Sequence, residues 1–241
     1  MRDNTGLSRS VRLLRLFRSE QSDPELYYAA LAEDTVQQAA EYCDLTGRTV
    51  LDIGGGGGWF TSAFRAHGAN CFLFEPDPSE LYSRKTPPAG AVIADGFWLP
   101  VRDGTADLVF SSNVLEHVPD PLGFIDEMIR VTKPGGLVYL AFTNWYSPWG
   151  GHEMSPWHYL GPRFAARRYA RKYQHKPKHE VGVSLHKVHI GPVLRALRRR
   201  TDVAVVDARP RYYPRWTRPL VRVPVAREVA TWNLLLVLRR Q

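Results

Sequence analysis

Val50-Leu51-Asp52-Ile53-Gly54-Gly55-Gly56-Gly57-Gly58-Trp59-Phe60 is the stretch on which the reading of this chain turns. An apolar strand over 49–53 runs into five consecutive glycines, and a helical pattern over 60–67 follows. Glycine accepts positive φ and lets a ligand lie against the backbone. The helix beyond the loop begins with unpaired N–H groups that can receive a polar ligand. A strand, a glycine loop and a helix also describe a plain tight turn, so the next acid matters. Glu75 closes a second strand over 71–75, 23 residues after Asp52. That is close to the spacing at which Rossmann-type folds place the carboxylate that holds ribose hydroxyls. The spacing suits a nucleoside ligand and does not choose between NAD and S-adenosylmethionine.

Outward from this stretch, strands and helices alternate. Residues 1–22 form an Arg-rich N-terminal arm or short helix. Asp23-Pro24 should start a helix, since Asp caps and Pro suits the first helical position. Leu26, Ala29, Ala30, Val36, Ala39, Ala40 and Cys43 are its expected apolar stripe. After Glu75 come a short polar helix (79–84), a strand (91–94), an apolar strand (108–111) and a helix (122–131). Lys133-Pro134-Gly135-Gly136 reads as a turn that feeds a strand over 137–142. Such alternation means βαβ units and a parallel sheet. It stops at 144–185, a stretch of Trp, Pro, Gly, His and basic residues that reads as an insertion. A helix (190–199) and strands over 202–208 and 231–238 complete the chain, with a loop over 209–227. This gives one domain over 23–241: a core at about 45–143, a cap insertion at about 144–185, and C-terminal elements over 186–241. The insertion is expected over the carboxyl edge of the sheet, with the 209–227 loop beside it.

Composition fits this plan. The chain has 241 residues, 44% apolar, enough for a sizeable core, and 23% charged, which argues against wholesale disorder. No apolar run approaches the roughly 20 residues of a membrane span. Cys43 and Cys71 belong to no CxxC pair or zinc-spaced cluster, so a reducing cytoplasm is the expected location. The net charge of +8 is uneven: residues 160–227 hold 18 Lys+Arg against 3 Asp+Glu, leaving about −7 elsewhere. Such asymmetry points to an anionic membrane surface, an acidic substrate, nucleic acid or a plain solvated face.

In its order of motifs the chain resembles the class I methyltransferases, in their ubiquinone-biosynthesis-like type 11 branch. Asp52-x-Gly54-x-Gly56-x-Gly58 is similar to their first motif. Ala94-Asp95-Gly96 with Leu99-Pro100 is similar to their adenine-binding segment. The run from Asp107 to Asp120 is similar to their fourth strand and its loop, and Arg130 to Leu137 to the lead-in of the fifth strand. The resemblance implies a Rossmann-like α/β fold, with a mostly parallel seven-stranded sheet whose last strand is antiparallel. It implies S-adenosylmethionine as cofactor. By position, Asp52 and Gly54, Gly56 and Gly58 would hold its methionyl end, and Glu75 both ribose hydroxyls. Asp95 would take the adenine amino group, with Gly96 and Phe97 lining the ring, and Asn113 would lie beneath the methionyl group. Asp95 also reads as a turn residue before glycine, and Asn113 as a strand-end cap.

Methylation of an alcohol needs a group that takes its proton. His117, after the fourth strand, is one candidate. His152, Glu153 and His158, in Gly150-Gly-His-Glu-Met-Ser-Pro-Trp-His158, could form an acid/base set or a metal site, with His152 preferred as base because the insertion should touch the acceptor. The histidines could instead only brace their loops. The segment is not HExxH, and no metal is expected. The whole chain resembles poorly characterised actinobacterial methyltransferases. The expected reaction is O-methylation of a lipid or glycoconjugate hydroxyl in envelope metabolism. The alternatives are a cofactor-binding accessory protein that regulates lipid assembly without turnover, and an RNA or small-molecule methyltransferase. The basic helix within 165–173 and a lip of Tyr212, Tyr213 and Trp216 among Arg211, Arg215 and Arg218 suggest reversible association with anionic lipid at the inner membrane face. No RNA-binding module is recognisable, and nucleic acid is not the expected partner. The oligomeric state is not legible.

Overall fold

The computed structural model describes residues 6–18, 22–84 and 86–241. In chain order its elements are α1 (Leu7–Phe17), α2 (Pro24–Ala40), β1 (Thr49–Ile53), α3 (Trp59–Ala66), β2 (Asn70–Glu75), α4 (Pro78–Leu81), β3 (Val92–Ile93) and β4 (Ala106–Ser112). They continue with α5 (Pro121–Val131), β5 (Thr132–Thr143), α6 (Pro162–Tyr173), α7 (Ile190–Arg198), β6 (Val203–Pro210), α8 (Ala226–Ala230) and β7 (Asn233–Arg240). Single 3-10 turns lie at Leu115–His117, His152–Met154 and Trp157–Leu160, and a longer 3-10 stretch at Arg215–Arg222.

Helix starts follow local chemistry. Asp23, Asp77 and Asp120 each precede a proline, and each side chain accepts a first-turn N–H: Leu26 at 3.1 Å, Ser79 at 2.8 Å and Gly123 at 3.1 Å. The strands form one sheet in the order β3-β2-β1-β4-β5-β7-β6. The first five pair in parallel, and β7 runs antiparallel to both β5 and β6. This is the mostly parallel sheet with a reversed last strand that the alternation and the resemblance implied.

Both faces of the sheet are covered, so the central strands are apolar throughout. Along β5, Val138, Leu140 and Phe142 join one core with Ile125, Met128, Ile190 and Leu194 from α5 and α7. Leu137, Tyr139 and Ala141 join the other with Leu31, Val36 and Phe64 from α2 and α3. Leu234 to Leu238 divide between the two cores in the same alternation. The continuous apolar run that ends the chain is therefore a strand buried from both sides.

Three details differ from expectation. The buried face of α2 carries Tyr27, Leu31, Ala32, Thr35, Val36 and Ala39, whereas Leu26 is exposed. The stripe is thus turned from the expected one, because Tyr27 and Leu31 supply the larger area to the core. Lys133–Gly136 is not a separate turn but an irregularity inside β5. The pairing with β4 jumps from Ala106↔Thr132 to Leu108↔Leu137 there. Within the N-terminal arm, residues 7–17 are helical, while 1–5 and 19–21 lie outside the described residues.

The helix α1 is anchored by buried charge. Arg9 grips Asp34 of α2 with two bonds, at 2.8 and 2.6 Å, and both side chains are almost fully buried. The same guanidinium donates to the Arg211 carbonyl. Arg211, also buried, reaches Ser112 at the end of β4 and Thr35 of α2. Four distant segments meet here, and each guanidinium donates to acceptors from two of them. Removing one partner strands the other charge in the core, which costs far more than the intact pair contributes. Asp34→Ala should therefore destabilise the fold by about 3–5 kcal/mol, read as a lowered urea midpoint. A shift equivalent to less than 1 kcal/mol would show that this network does not anchor α1.

Candidate functional site

The order of the sheet reverses between β1 and β4: the chain leaves β1 toward β2 and leaves β4 toward β5. In open α/β sheets such a switch point opens a crevice at the carboxyl ends of the strands, where ligands bind. The expected cofactor residues gather there. Gly54 has φ +71°, and a Cβ at this position would lie 2.5 Å from Cγ2 of Val114, just beyond β4. No other residue fits without displacing that valine. Gly56 has φ +52° and nothing within 4 Å of where its Cβ would stand, so its face is open. Its N–H donates to Glu75 Oε2 at 2.9 Å, and Asp77 N–H donates to Oε1 at 3.1 Å. Glu75 is thus fixed by backbone, and burial raises its pKa against those two hydrogen bonds.

Asp52 is 1% exposed at the end of β1. Thr61 donates to its Oδ2 at 2.6 Å, and Oδ1 is buried without a partner. Burial pushes its pKa up to about 7, against the Thr61 hydrogen bonds. Asp95 is exposed, and its Oδ1 accepts from Phe97 N–H at 2.9 Å, which forms the turn. Gly96 is buried where a Cβ would strike Phe124 and approach Ile53 of β1. Asn113 stands at φ +58°, and its Oδ1 accepts from Asn233 at 2.7 Å.

The catalytic candidates come together from two parts of the chain. His117 ends the 3-10 turn after β4, and His152 starts the 3-10 turn of the insertion. Their Nε2 atoms are 3.2 Å apart. His117 Nδ1 is 2.7 Å from the Ser184 carbonyl. His152 is held at φ +51°, a conformation that costs a non-glycine residue energy and is found where the surroundings impose it. A third histidine, His179, completes the group, with ring centroids 5.0 Å from His117 and 4.7 Å from His152. Glu153 accepts both the His179 N–H, at 2.7 Å, and its Nδ1, at 2.9 Å. Burial opposes ionisation of Glu153, but these bonds prevail and hold its pKa at about 2. Burial, followed by the positive charge that His117 and His179 can carry, lowers the His152 pKa to about 4.

His179 had no signal in the sequence, since it lies 26 residues from Glu153 in an irregular segment. His158, grouped with His152 and Glu153 by sequence, sits elsewhere. It is fully buried, edge-on to Trp145 at 5.2 Å, and it packs so closely on Gly151 that no Cβ fits there. It braces the insertion. The neighbouring Glu116 ties that insertion to the sheet. Its buried carboxylate accepts the Thr143 N–H at 3.0 Å, and its backbone carbonyl the His186 N–H at 2.7 Å. The insertion reaches the turn beyond β4 through the contacts of His117 with His152 and the Ser184 carbonyl, and its Trp149 meets Trp232 and Phe17.

Comparison with known proteins agrees with this geometry. A family model described as a methyltransferase domain matches residues 25–183. The chain is similar to an uncharacterised methyltransferase of Mycolicibacterium vanbaalenii, 46% identical over 98% of this chain and 96% of that one. It is also similar to one from a Mycobacterium species, 48% identical over 97% and 95%. Among solved structures it is similar to an S-adenosylmethionine-dependent methyltransferase of Mesorhizobium loti. The TM-score is 0.58 at 23% identity, over 87% of this chain and 98% of that one.

The buried Asp52 gives a pH-dependent prediction. Its folded pKa is raised from 3.8 to about 7. Its contribution to stability is thus fully present below pH 3.8 and lost as pH rises through about 7. Asp52→Asn cannot ionise. In ligand-free protein, the melting temperature of this variant relative to wild type should rise between pH 5 and pH 8.5. A difference independent of pH would show that Asp52 is already ionised at acid pH.

Proposed function

The chain belongs to the class I, S-adenosylmethionine-dependent methyltransferases, and from that premise we propose that it methylates a hydroxyl of a lipid or glycoconjugate at the histidine cluster of its insertion. S-adenosylmethionine supplies an activated methyl group, because its sulfonium is a good leaving group. The residues at the switch point suit it. The unpartnered Oδ1 of Asp52 is an acceptor for the methionyl end, beside Gly54, Gly56 and Gly58. Glu75 keeps lone pairs for the ribose hydroxyls after its two backbone bonds. By the resemblance, Asp95, Gly96 and Phe97 would take the adenine, and Asn113, just beyond β4, would lie beneath the methionyl group.

One observation supports the acceptor reading most. His117, His152 and His179, with Glu153 behind them, converge one 3-10 turn beyond Val114, the residue that presses on Gly54. What remains for the protein is to align the acceptor oxygen, exclude water and receive its proton. The partly buried imidazoles serve the first two tasks, and the His179–Glu153 pair can hold a proton for the third.

A lipid or glycan acceptor is favoured by the outer surface of the insertion. Trp157, Tyr159, Leu160, Phe164 and Tyr173 are exposed there, among Arg163, Arg167, Arg171 and Lys172 of α6. Aromatic and basic side chains in that mixture suit a headgroup layer. The lip expected at 209–227 is a weaker candidate. Arg211 is buried, Arg218 pairs with Asp207 at 2.5 Å, and Arg215 lies 3.6 Å from Glu41. Arg218 is partly offset by Asp207 of β6 and Arg215 by Glu41, so less free charge faces outward there than the sequence suggests. Among the described residues no helix is long and apolar enough to cross a membrane.

The direct test is transfer of labelled methyl to extracts separated into lipid, polysaccharide and RNA. Label should enter the lipid or polysaccharide fraction. His152→Ala should lower turnover about 10²-fold, the scale on which a misplaced acceptor loses rate, with binding of S-adenosylhomocysteine unchanged. Cofactor binding without transfer to any fraction would favour an accessory role, and label in RNA would refute the acceptor class. Flotation with anionic vesicles tests the surface. Binding should fall with salt, since exposed charges are screened over about 8 Å at physiological ionic strength. Joint replacement of Arg163, Arg167 and Arg171 by Glu should abolish it. A wild-type protein that stays with the soluble fraction at low salt would remove the membrane-surface reading.

A further inference from the structure

We propose that His117, His152 and His179 form a binding site for one divalent transition-metal ion of the zinc class. The inference rests on the acceptor reading above only for what the ion would face, not for its existence. Each histidine offers one ring nitrogen, and these atoms lie within 4.8 Å of one another. The Nε2 atoms of His117 and His152 are 3.2 Å apart. Tetrahedral ligands about 2.0–2.1 Å from zinc stand about 3.3 Å from each other, so this pair already has the spacing of two ligands on one ion. The ring nitrogen of His179 lies within 4.8 Å of both, so it would have to draw closer on binding.

The surroundings of the rings point the same way. In metal sites the second ring nitrogen of each histidine is usually tied to a carbonyl or carboxylate, which fixes the tautomer and frees the other nitrogen for the ion. His117 Nδ1 meets the Ser184 carbonyl at 2.7 Å. His179 Nδ1 meets the Glu153 carboxylate at 2.9 Å. In both rings Nε2 is therefore left as the electron-pair donor. His152 has no such brace, and its Nδ1 is buried without a partner. Its direction is set instead by the imposed backbone at φ +51°. Three imidazoles facing one another, with no acid in the cluster, form a donor set that suits zinc, cobalt, nickel or copper and not magnesium or calcium. Three protein ligands leave a fourth position open, the pattern of catalytic rather than structural zinc sites. In the proposed reaction that position would seat the acceptor oxygen.

The test uses the full chain, stripped with a chelator and then titrated with cobalt(II), whose visible absorption reports tetrahedral coordination, and with zinc by calorimetry. One equivalent should bind with intense visible bands. His117→Ala, His152→Ala and His179→Ala should each weaken binding at least 100-fold. Glu153→Gln should weaken it roughly 10- to 100-fold, as other outer partners of ligating histidines do. His175→Ala, an exposed histidine of the same insertion, should change nothing. Calorimetry with S-adenosylhomocysteine shows that each variant is folded. Absence of cobalt and zinc binding, or binding that survives His179→Ala in folded protein, overturns the site. Failure of the metal and failure of the reaction are separable. Methyl transfer by protein that binds no metal refutes the ion and leaves the reaction standing. Stoichiometric cobalt with no acceptor in any fraction upholds the ion and removes the reaction.

Discussion

The reversal of strand order between β1 and β4 is the constraint on which the rest of the molecule depends. Two parallel strands lie side by side, Val50 to Asp52 against Leu108 to Phe110, and their chains depart in opposite directions. Their carboxyl ends are therefore left uncovered by their own connections. The loop after β1 can occupy that space only by giving up side chains, because Val114 approaches Gly54 more closely than a Cβ allows. The loop after β4 is equally committed. Asn113 adopts positive φ and is held by Asn233, and Glu116 is spent inside on Thr143 and His186. The glycine loop after β1 and the 3-10 turn after β4 thus form one packed unit.

Polar burial follows from the same geometry. A parallel sheet covered on both faces offers polar side chains little room except at its edges. Asp52, Glu75 and Glu116 sit at the carboxyl edge, each at least 94% buried, and each accepts hydrogen bonds from a neighbouring segment. Burying a carboxylate is costly unless it is paired or neutralised. Here burial raises the pKa of all three. The energy thus held against ionisation is released when a cation or a donor arrives, and this is the setting in which a ligand with a positive sulfonium and ammonium binds.

How much of this was legible depends on the range of each signal. Strand, glycine loop and helix are local patterns, and residues 50–60 declared them without help. The aspartate–proline starts of α2 and α5 are local too, and so was the acid that ends β2. The misreadings all involve distance. Leu26 looked like core because the helix pattern alone does not say which flank meets the sheet. Arg211 looked like surface because arginine usually is. Its burial depends on Ser112, Thr35 and the Arg9 side chain, which are remote in sequence. His179 carried no signal at all, since it joins His152 only when the insertion folds back. His158 was placed with the cluster by proximity in sequence, yet a residue six positions along an irregular loop need not face the same way.

The insertion is ordered by different forces from the domain beneath it. Its own apolar core is small, formed by Trp145, Met154, Ala165 and Leu185. Burial of that size cannot by itself offset the backbone entropy of about forty residues, each costing roughly 1–2 kcal/mol. The balance must come from ties to the rest of the protein. Trp145 N–H reaches the Val188 carbonyl, His117 reaches the Ser184 carbonyl, and His186 N–H fixes the segment's exit on Glu116, while Glu153 clasps His179 within it. Most of these ties pass through, or directly beside, the three-histidine cluster. The histidines proposed to act on the acceptor are therefore also among those that tie the 144–185 segment to the sheet. A group bound among them stabilises the closed arrangement by its affinity for that arrangement alone, so order in the cap and occupancy of the cluster rise together.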